Sequence, residues 1–254
     1  MTRRLLVRRP SPALQDGELT HLERRPVDAG TAREQWASYV GAFADRGWQV
    51  HEVAAADEHP DGVFVEDTVV MLGDTAVLTS PGAATRRGEV ASTAAALASL
   101  GITVRRIDPP GSLEGGDILK VGRTLYAGRS ARTDDAGIDQ LAAIAEPLGW
   151  TVVRVPVTKV LHLKSALTAL PDGTVIGFAP LVDDPSLFAS FLAVPEEEGC
   201  AVVVLDDTTV LLSASAPATA ALLRDRGLTV VPTPVTEFEK LEGCVTCLSV
   251  RVRD

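Results

Sequence analysis

The chain has 254 residues, 46% of them hydrophobic and 23% charged, enough apolar sequence for a real core in one large domain or two small ones. Its net charge of −10 argues against nucleic acid as a partner, which needs a basic face, and leaves small cationic ligands compatible. No apolar run approaches the ~20 residues of a membrane span, and the apolar stretch at residues 5–7 is too short for a signal-peptide core, so a soluble cytoplasmic protein is expected.

The first predicted unit is a strand at 5–7, a helix at 31–44 ended by Gly47, and a strand at 49–53. A hairpin follows, 69–71 with 76–78 across Leu72-Gly73-Asp74-Thr75, then a helix at 90–100 and a strand at 103–107. The same sequence of elements recurs as a hairpin of 118–120 with 125–127, a helix at 138–148 and a strand at 151–157. A third hairpin, 166–170 with 175–177, is followed by the least regular stretch, broken by Pro180, Pro185 and the loop at 195–198. A fourth hairpin joins 201–204 to 209–212, and a helix at 217–226 with Pro217 at its first position leads to a strand at 228–231. The threonines at 75, 124, 174 and 208 mark the repeat. The last strand, at 245–252, is expected to pair with the first and close a ring of about five units, a single domain over 1–254. Loops from every unit of such a ring meet at the mouth of a central channel.

Polar residues inside apolar contexts are the candidates for chemistry. Glu66 and Asp67 sit between Val63-Phe64-Val65 and Val69-Val70, where carboxylates need a cation unless the strand simply ends there. Glu114 precedes the Gly115-Gly116 pair and Asp117, in what also fits an ordinary turn. His162 lies in apolar Val160-Leu161-His162-Leu163, as a hydrogen-bonded core residue or an acid–base group. Cys247 precedes the last strand pattern as packing or as a nucleophile. Cys244 and Cys247 also have CxxC spacing. A second CxxC or a His pair to complete a zinc site is missing, and on a strand the two would face opposite ways, so Cys244 reads as packing, with a secondary site for oxidation or zinc as its alternative, and Cys200 reads as packing. With three cysteines and no disulfide framework, reduced thiols are expected. Arg86 and Arg132 occupy similar places after successive hairpins. Paired acids suit a guanidinium, paired arginines a carboxylate, and a Cys, a His and a third acid suit attack on an electrophilic carbon. Together they describe an arginine-like ligand.

Phe64-Val65-Glu66-Asp67, Ser80-Pro81-Gly82-Ala83 with Arg86-Arg87, Leu113-Glu114-Gly115-Gly116-Asp117, Ser130-Ala131-Arg132-Thr133, Leu161-His162-Leu163-Lys164 and the Cys247 terminus resemble, in order and spacing, the dimethylarginine dimethylaminohydrolases. That resemblance implies the five-bladed α/β propeller of the guanidine-modifying superfamily. It also implies Cys247 as nucleophile, His162 as general acid and base, and Glu114 as the residue orienting His162. Asp67 with Glu66 would bind the guanidinium, and Arg86 and Arg132 the α-carboxylate. Asp61 would meet the α-ammonium with backbone carbonyls near Leu19 and Leu241, the loop at 11–20 serving as a lid. The implied activity is hydrolysis of methylated arginine to citrulline through a covalent thiouronium, without metal or organic cofactor, by a monomer or homodimer. A deiminase of free arginine is the alternative enzyme, and a non-catalytic propeller that binds a large partner is the alternative class.

Overall fold

The structure is a computed structural model that describes residues 3–253. Among the described residues, fifteen strands form five three-stranded sheets. β1 (Arg3–Val7) is followed by α1 (Ala29–Ala44) and β2 (Gln49–Glu52), which lies parallel to β1. Asp28 caps α1 by accepting the Thr31 N–H at 2.6 Å. The second sheet is the hairpin β3 (Val69–Leu72) and β4 (Thr75–Leu78), then α2 (Glu89–Ser99) and β5 (Thr103–Arg106), parallel to β4. The third repeats the plan with β6 (Ile118–Val121), β7 (Thr124–Arg129), α3 (Asp135–Ala145) and β8 (Thr151–Pro156). β9 (Leu167–Ala169), β10 (Val175–Gly177) and β11 (Phe191–Ala193) make the fourth, whose crossover has short 3-10 turns at Ala179–Leu181 and Pro185–Leu187 in place of an α-helix, as its prolines require. The fifth holds β12 (Val202–Val204), β13 (Thr209–Ser213), α4 (Pro217–Asp225) and β14 (Thr229–Thr233). A short helix, α5 (Thr236–Glu239), precedes β15 (Val250–Arg253), which pairs antiparallel with β1 and closes the ring from both ends of the chain. This is the five-bladed α/β propeller.

Burial follows position in the blade. The middle strands β4 and β13 are buried throughout, whereas the outer β2 and β5 are largely exposed. Each helix turns one apolar stripe onto its sheet: Ala32, Tyr39 and Phe43 from α1, Ile138, Leu141 and Ala145 from α3. Fully burying each large side chain stabilises by roughly 1.5–3 kcal/mol, so these stripes, more than helix propensity, hold the helices in place. Gly101 and Gly227 end α2 and α4 with φ of 72° and 85°, a left-handed conformation that a side chain would resist. The inner strands β3, β6, β9, β12 and β15 line an axial cavity of about 150 Å³.

One expected element differs. The terminal strand begins only at Val250, and 245–248 form a turn in which the Cys247 N–H bonds to the Cys244 carbonyl at 3.2 Å. The Cys247 carbonyl accepts from Glu66 N–H at 3.2 Å, not from β1. That turn aims the thiol at the mouth of the ring.

Candidate active site

The polar residues arrive by one device, used in successive blades. A tight turn precedes the inner strand in four of the blades and delivers a side chain to the ring's mouth. Val65–Thr68 carries Asp67 ahead of β3, and Glu114 caps Gly115–Asp117 ahead of β6. His162 caps Leu163–Ser165 ahead of β9, and the turn at 245–248 carries Cys247 ahead of β15. Gly116 is required at the point of convergence: a Cβ there would lie 2.7 Å from both Asp67 Oδ1 and His162 Nδ1. Its N–H instead donates to Asp67 Oδ1 at 2.9 Å.

His162 and Glu114 are 3% and 0% exposed, with Nε2 and Oε2 2.7 Å apart. Burial alone would lower the imidazole's pKa, but the Asp67 charge and the Glu114 hydrogen bond outweigh it and raise it to about 9. The charged imidazole answers in kind. It and Arg86 hold Asp67 below the ordinary carboxylate value against the upward pull of burial, and it holds Glu114 down in the same way. His162 is therefore an imidazolium at neutral pH, oriented by Glu114 and with Nδ1 on the side of Asp67, 3.9 Å from its Oδ1.

Cys247 is 6% exposed and lines the same cleft as His162, Asp67, Asp61, Phe64, Arg86, Arg132, Leu161 and Leu241. Its Sγ lies 3.4 Å from Cys244 Sγ and accepts the Cys244 N–H at 3.4 Å. The two thiols titrate as a pair. The sulfur–sulfur hydrogen bond makes the first proton, on Cys244, easier to lose and the second, on Cys247, harder.

Arg86 is the most heavily engaged cation. It meets Asp67 Oδ2 at 2.7 Å, both Glu89 oxygens at 3.0 and 2.9 Å, and the carbonyls of Asp61 and Phe64. Arg132 is freer: one nitrogen pairs with Glu18 Oε2 at 2.9 Å and the other lies 3.6 Å from Glu114 Oε1. Asp61, whose pKa burial raises, accepts the Glu18 N–H at 3.0 Å. The loop at 11–20 holds the 3-10 turn Leu14–Asp16 and closes over the cleft through Glu18, while Leu19 packs half-buried against the core and does not line the cleft. Glu242, at φ 59°, fastens the loop by accepting the N–H groups of Thr20 at 3.0 Å, of Leu22 at 2.8 Å and of His21.

No family profile matches the chain. It is 57% identical over 253 residues to the dimethylarginine dimethylaminohydrolase of Streptomyces coelicolor, covering 100% of this chain and 98% of that one. It is 33% identical over 255 residues to the enzyme of the same name from Pseudomonas aeruginosa, covering 99% and 100%. In structure it matches a Pseudomonas aeruginosa dimethylarginine dimethylaminohydrolase, a cysteine-to-serine variant complexed with citrulline, with a TM-score of 0.91, 32% identity and 99% of each chain covered. The chain belongs to the dimethylarginine dimethylaminohydrolase family. It is a hydrolase acting on the guanidino C–N bond.

Two residues expected at the substrate do not line the cleft, Leu19 as described above and Glu66. Glu66 was expected to share the guanidinium with Asp67. Its Oε1 instead binds Lys164 and Arg251, each at 2.7 Å, and it lines the axial cavity and not the cleft that holds Cys247. The reason is local: successive residues of a 3-10 turn diverge by about 120°, so neighbouring acids face different cavities. The axial cavity is the larger of the two, but the nucleophile, the imidazolium and the carboxylates meet in the smaller. Four partners were not anticipated: Glu18, Glu89, Glu242 and the contact of Cys244 with Cys247. Arg86 and Glu89 are three apart in sequence, the spacing that pairs side chains on a helical turn, and that signal could have found Glu89. Asp67, Glu114 and His162 place ligand atoms within 4.8 Å of one another, as a metal site would. Arg86, 2.7 Å from Asp67 and 4.0 Å from Glu114, and the imidazolium already supply the compensating positive charge there.

Proposed function

We propose that the protein hydrolyses Nω-methylated arginine, asymmetric dimethylarginine or the monomethyl form, to citrulline with release of dimethylamine or methylamine. One arrangement carries the reading: Cys247 and an imidazolium held by Glu114 open on the same cleft, which has carboxylates at Asp67 and Asp61 and an incompletely paired guanidinium at Arg132. A cationic guanidinium with a carboxylate at its far end matches that order of charges. The names of the relatives and the citrulline in the matched structure support the same substrate class.

Asp67 accepts the substrate guanidinium, having lone pairs left beside Gly116 and Arg86. The bound cation favours the Cys247 thiolate, because an opposite charge nearby stabilises the ionised form. The thiolate attacks the guanidinium carbon and an S–C bond forms. The C–N bond to the methylated nitrogen breaks as His162 donates its proton, and the amine leaves. This leaves a thiouronium on Cys247 and a neutral imidazole. His162 then takes a proton from water, the hydroxide adds to the same carbon, the C–S bond breaks, the added oxygen loses its remaining proton to solvent, where the freed amine takes one up, and citrulline and the thiolate are released. Arg86 and Arg132 hold the α-carboxylate, and Asp61 with the Leu241 carbonyl holds the α-ammonium. Residues 1–254 act as one catalytic unit, in a reducing compartment such as the cytoplasm that keeps Cys247 a thiol.

Citrulline and amine formation from asymmetric dimethylarginine and from arginine, measured side by side, test the reading. Dimethylamine from the methylated substrate, abolished in Cys247→Ser, is the expected result. Ammonia from arginine alone would replace it with a deiminase, and citrulline from neither would end the assignment.

A further inference from the structure

The CxxC pair is the part of the site that hydrolysis leaves unused. On a strand, residues 244 and 247 would face apart; on the turn they actually form, both thiols lie on one side. The Cys247 N–H to Cys244 carbonyl bond closes a four-residue turn, whose end Cα atoms lie within about 7 Å of each other, the separation a disulfide also needs. The sulfurs are already at 3.4 Å, so an S–S bond of about 2.05 Å requires them to close by roughly 1.4 Å through side-chain rotation. The proton shared between the sulfurs eases the pair's first ionisation, which favours a Cys244 thiolate; passing that proton across the 3.4 Å contact puts the charge on Cys247 Sγ, where the Cys244 N–H meets it. The third thiol is insulated. Cys200 is buried, donates to the Ser165 carbonyl at 3.1 Å, and burial pushes its pKa well up.

We infer that Cys244 and Cys247 form a peroxide-responsive dithiol, in which Cys244 captures oxidised Cys247 as a reversible disulfide that removes the nucleophile. The Cys247 thiolate attacks one oxygen of hydrogen peroxide. An S–O bond forms, the O–O bond breaks, and the departing hydroxide takes a proton to become water. Cys244 then attacks the sulfenic sulfur, the S–S bond forms and the S–O bond breaks, and the hydroxide leaves with the Cys244 proton as a second water. Two thiols are oxidised and both peroxide oxygens reduced. Because Cys244 is in van der Waals contact, this capture outruns a second peroxide, which would carry Cys247 to the irreversible sulfinic acid. A dithiol reductant reverses the bond by exchange. The loss of activity rests on Cys247 being the nucleophile; the disulfide itself does not.

The test is hydrogen peroxide added in small excess to the reduced full-length protein, followed by intact mass, peptide mapping and citrulline assay. The expected result is a loss of about 2 Da, mapped to a Cys244–Cys247 link, with activity lost in parallel and restored by dithiothreitol. Cys244→Ser should instead gain about 16 and then 32 Da, without the 2 Da loss, and should stay inactive after dithiothreitol. Cys200→Ala should behave as the parent chain does. A parent chain that goes directly to the gain of about 32 Da, a link that includes Cys200, or a Cys244→Ser variant that recovers as fully as the parent would each overturn the inference. If no form makes citrulline, the hydrolase substrate assigned above fails, while the mass and the mapped link still decide the dithiol.

Discussion

His162 Nε2 and Glu114 Oε2 stand 2.7 Å apart, both side chains buried, and the pair sets the protonation of the cleft. An imidazole held only by burial would be neutral at pH 7 and could not donate to a leaving amine. Glu114→Gln keeps the shape and removes the charge, so His162 loses its orienting anion and its pKa falls. The expected outcome is a drop in kcat of roughly 10²–10⁴-fold, the usual range for a disabled general acid. The alkaline limb of the pH–kcat profile should also shift toward acid. A variant with parental kcat and an unmoved limb would remove Glu114 from the mechanism.

The same pair makes stability depend on pH. The folded value of His162, about 9, lies above the ordinary 6.5, so the native state binds that proton more tightly than the unfolded chain. Its contribution is complete below pH 6.5 and is lost as pH rises toward 9, amounting to on the order of 3 kcal/mol at about 1.4 kcal/mol per pH unit. Urea unfolding between pH 6 and 9.5 should show this decline, and His162→Asn should flatten it. On the acid side the sign reverses: Asp67 and Glu114 sit below their ordinary values, so their contribution fades as pH falls through the carboxylate range. An equal slope in parent and variant above pH 6.5 would contradict the assigned proton.

Glu66 separates structural from catalytic charge. Glu66→Gln leaves Lys164 and Arg251, 11% and 20% exposed at their side chains, without their carboxylate. Unpairing buried charge costs about 3–5 kcal/mol, and the partial exposure here reduces that to about 2 kcal/mol. Denaturant unfolding should show the loss while kcat/KM changes less than tenfold. A hundredfold fall in kcat/KM at unchanged stability would return Glu66 to the guanidinium.

Glu66 and Cys247 also show where the sequence stops being readable. The hairpins, their positive-φ glycines and the helix stripes follow from local periodicity, and they appear where Gly73, Gly101 and Ile138 place them. The turns ahead of the inner strands are short, and their direction depends on contacts across the ring. Leu248, Val250 and Val252 continue an alternating pattern, yet 245–248 turn because Glu66 of another blade takes the Cys247 carbonyl. Adjacent acids read as one anionic patch until a 3-10 turn parts them. Asp67, Glu114, His162 and Cys247 were recoverable because each is a polar residue in an apolar setting. Glu18 and Glu242 lie in polar loops, where nothing local marks them.

Glu242 fastens the loop at residues 20–22. Its carboxylate accepts from three consecutive N–H groups, those of Thr20, His21 and Leu22, and its φ of 59° is one a non-glycine residue rarely adopts. Glu242→Ala removes the acceptors, and hydrogen exchange of those three amides should accelerate at least tenfold, which corresponds to about 1.4 kcal/mol. Exchange elsewhere should change little. Unaltered exchange at 20–22 would mean that the Leu14 packing, not Glu242, holds the loop.

Glu18 stands where a substrate carboxylate is proposed to sit. Its Oε2 is 2.9 Å from Arg132, and the pair is partly exposed, so displacing it costs only about 1 kcal/mol. Glu18→Gln removes this internal competitor, and KM for the methylated amino acid should fall about fivefold with kcat within twofold of the parent. Arg132→Ala removes the receiving group, and KM should rise roughly a hundredfold, the scale of a lost charge-assisted pair. N-methylguanidine, which has no carboxylate, should be processed equally by the parent and Glu18→Gln, because Glu18 reaches neither the reacting carbon nor the Glu114–His162 pair in this scheme. A rise in KM for Glu18→Gln would reverse the assignment, making Glu18 a partner of the substrate's α-ammonium beside Asp61 rather than a stand-in for its carboxylate.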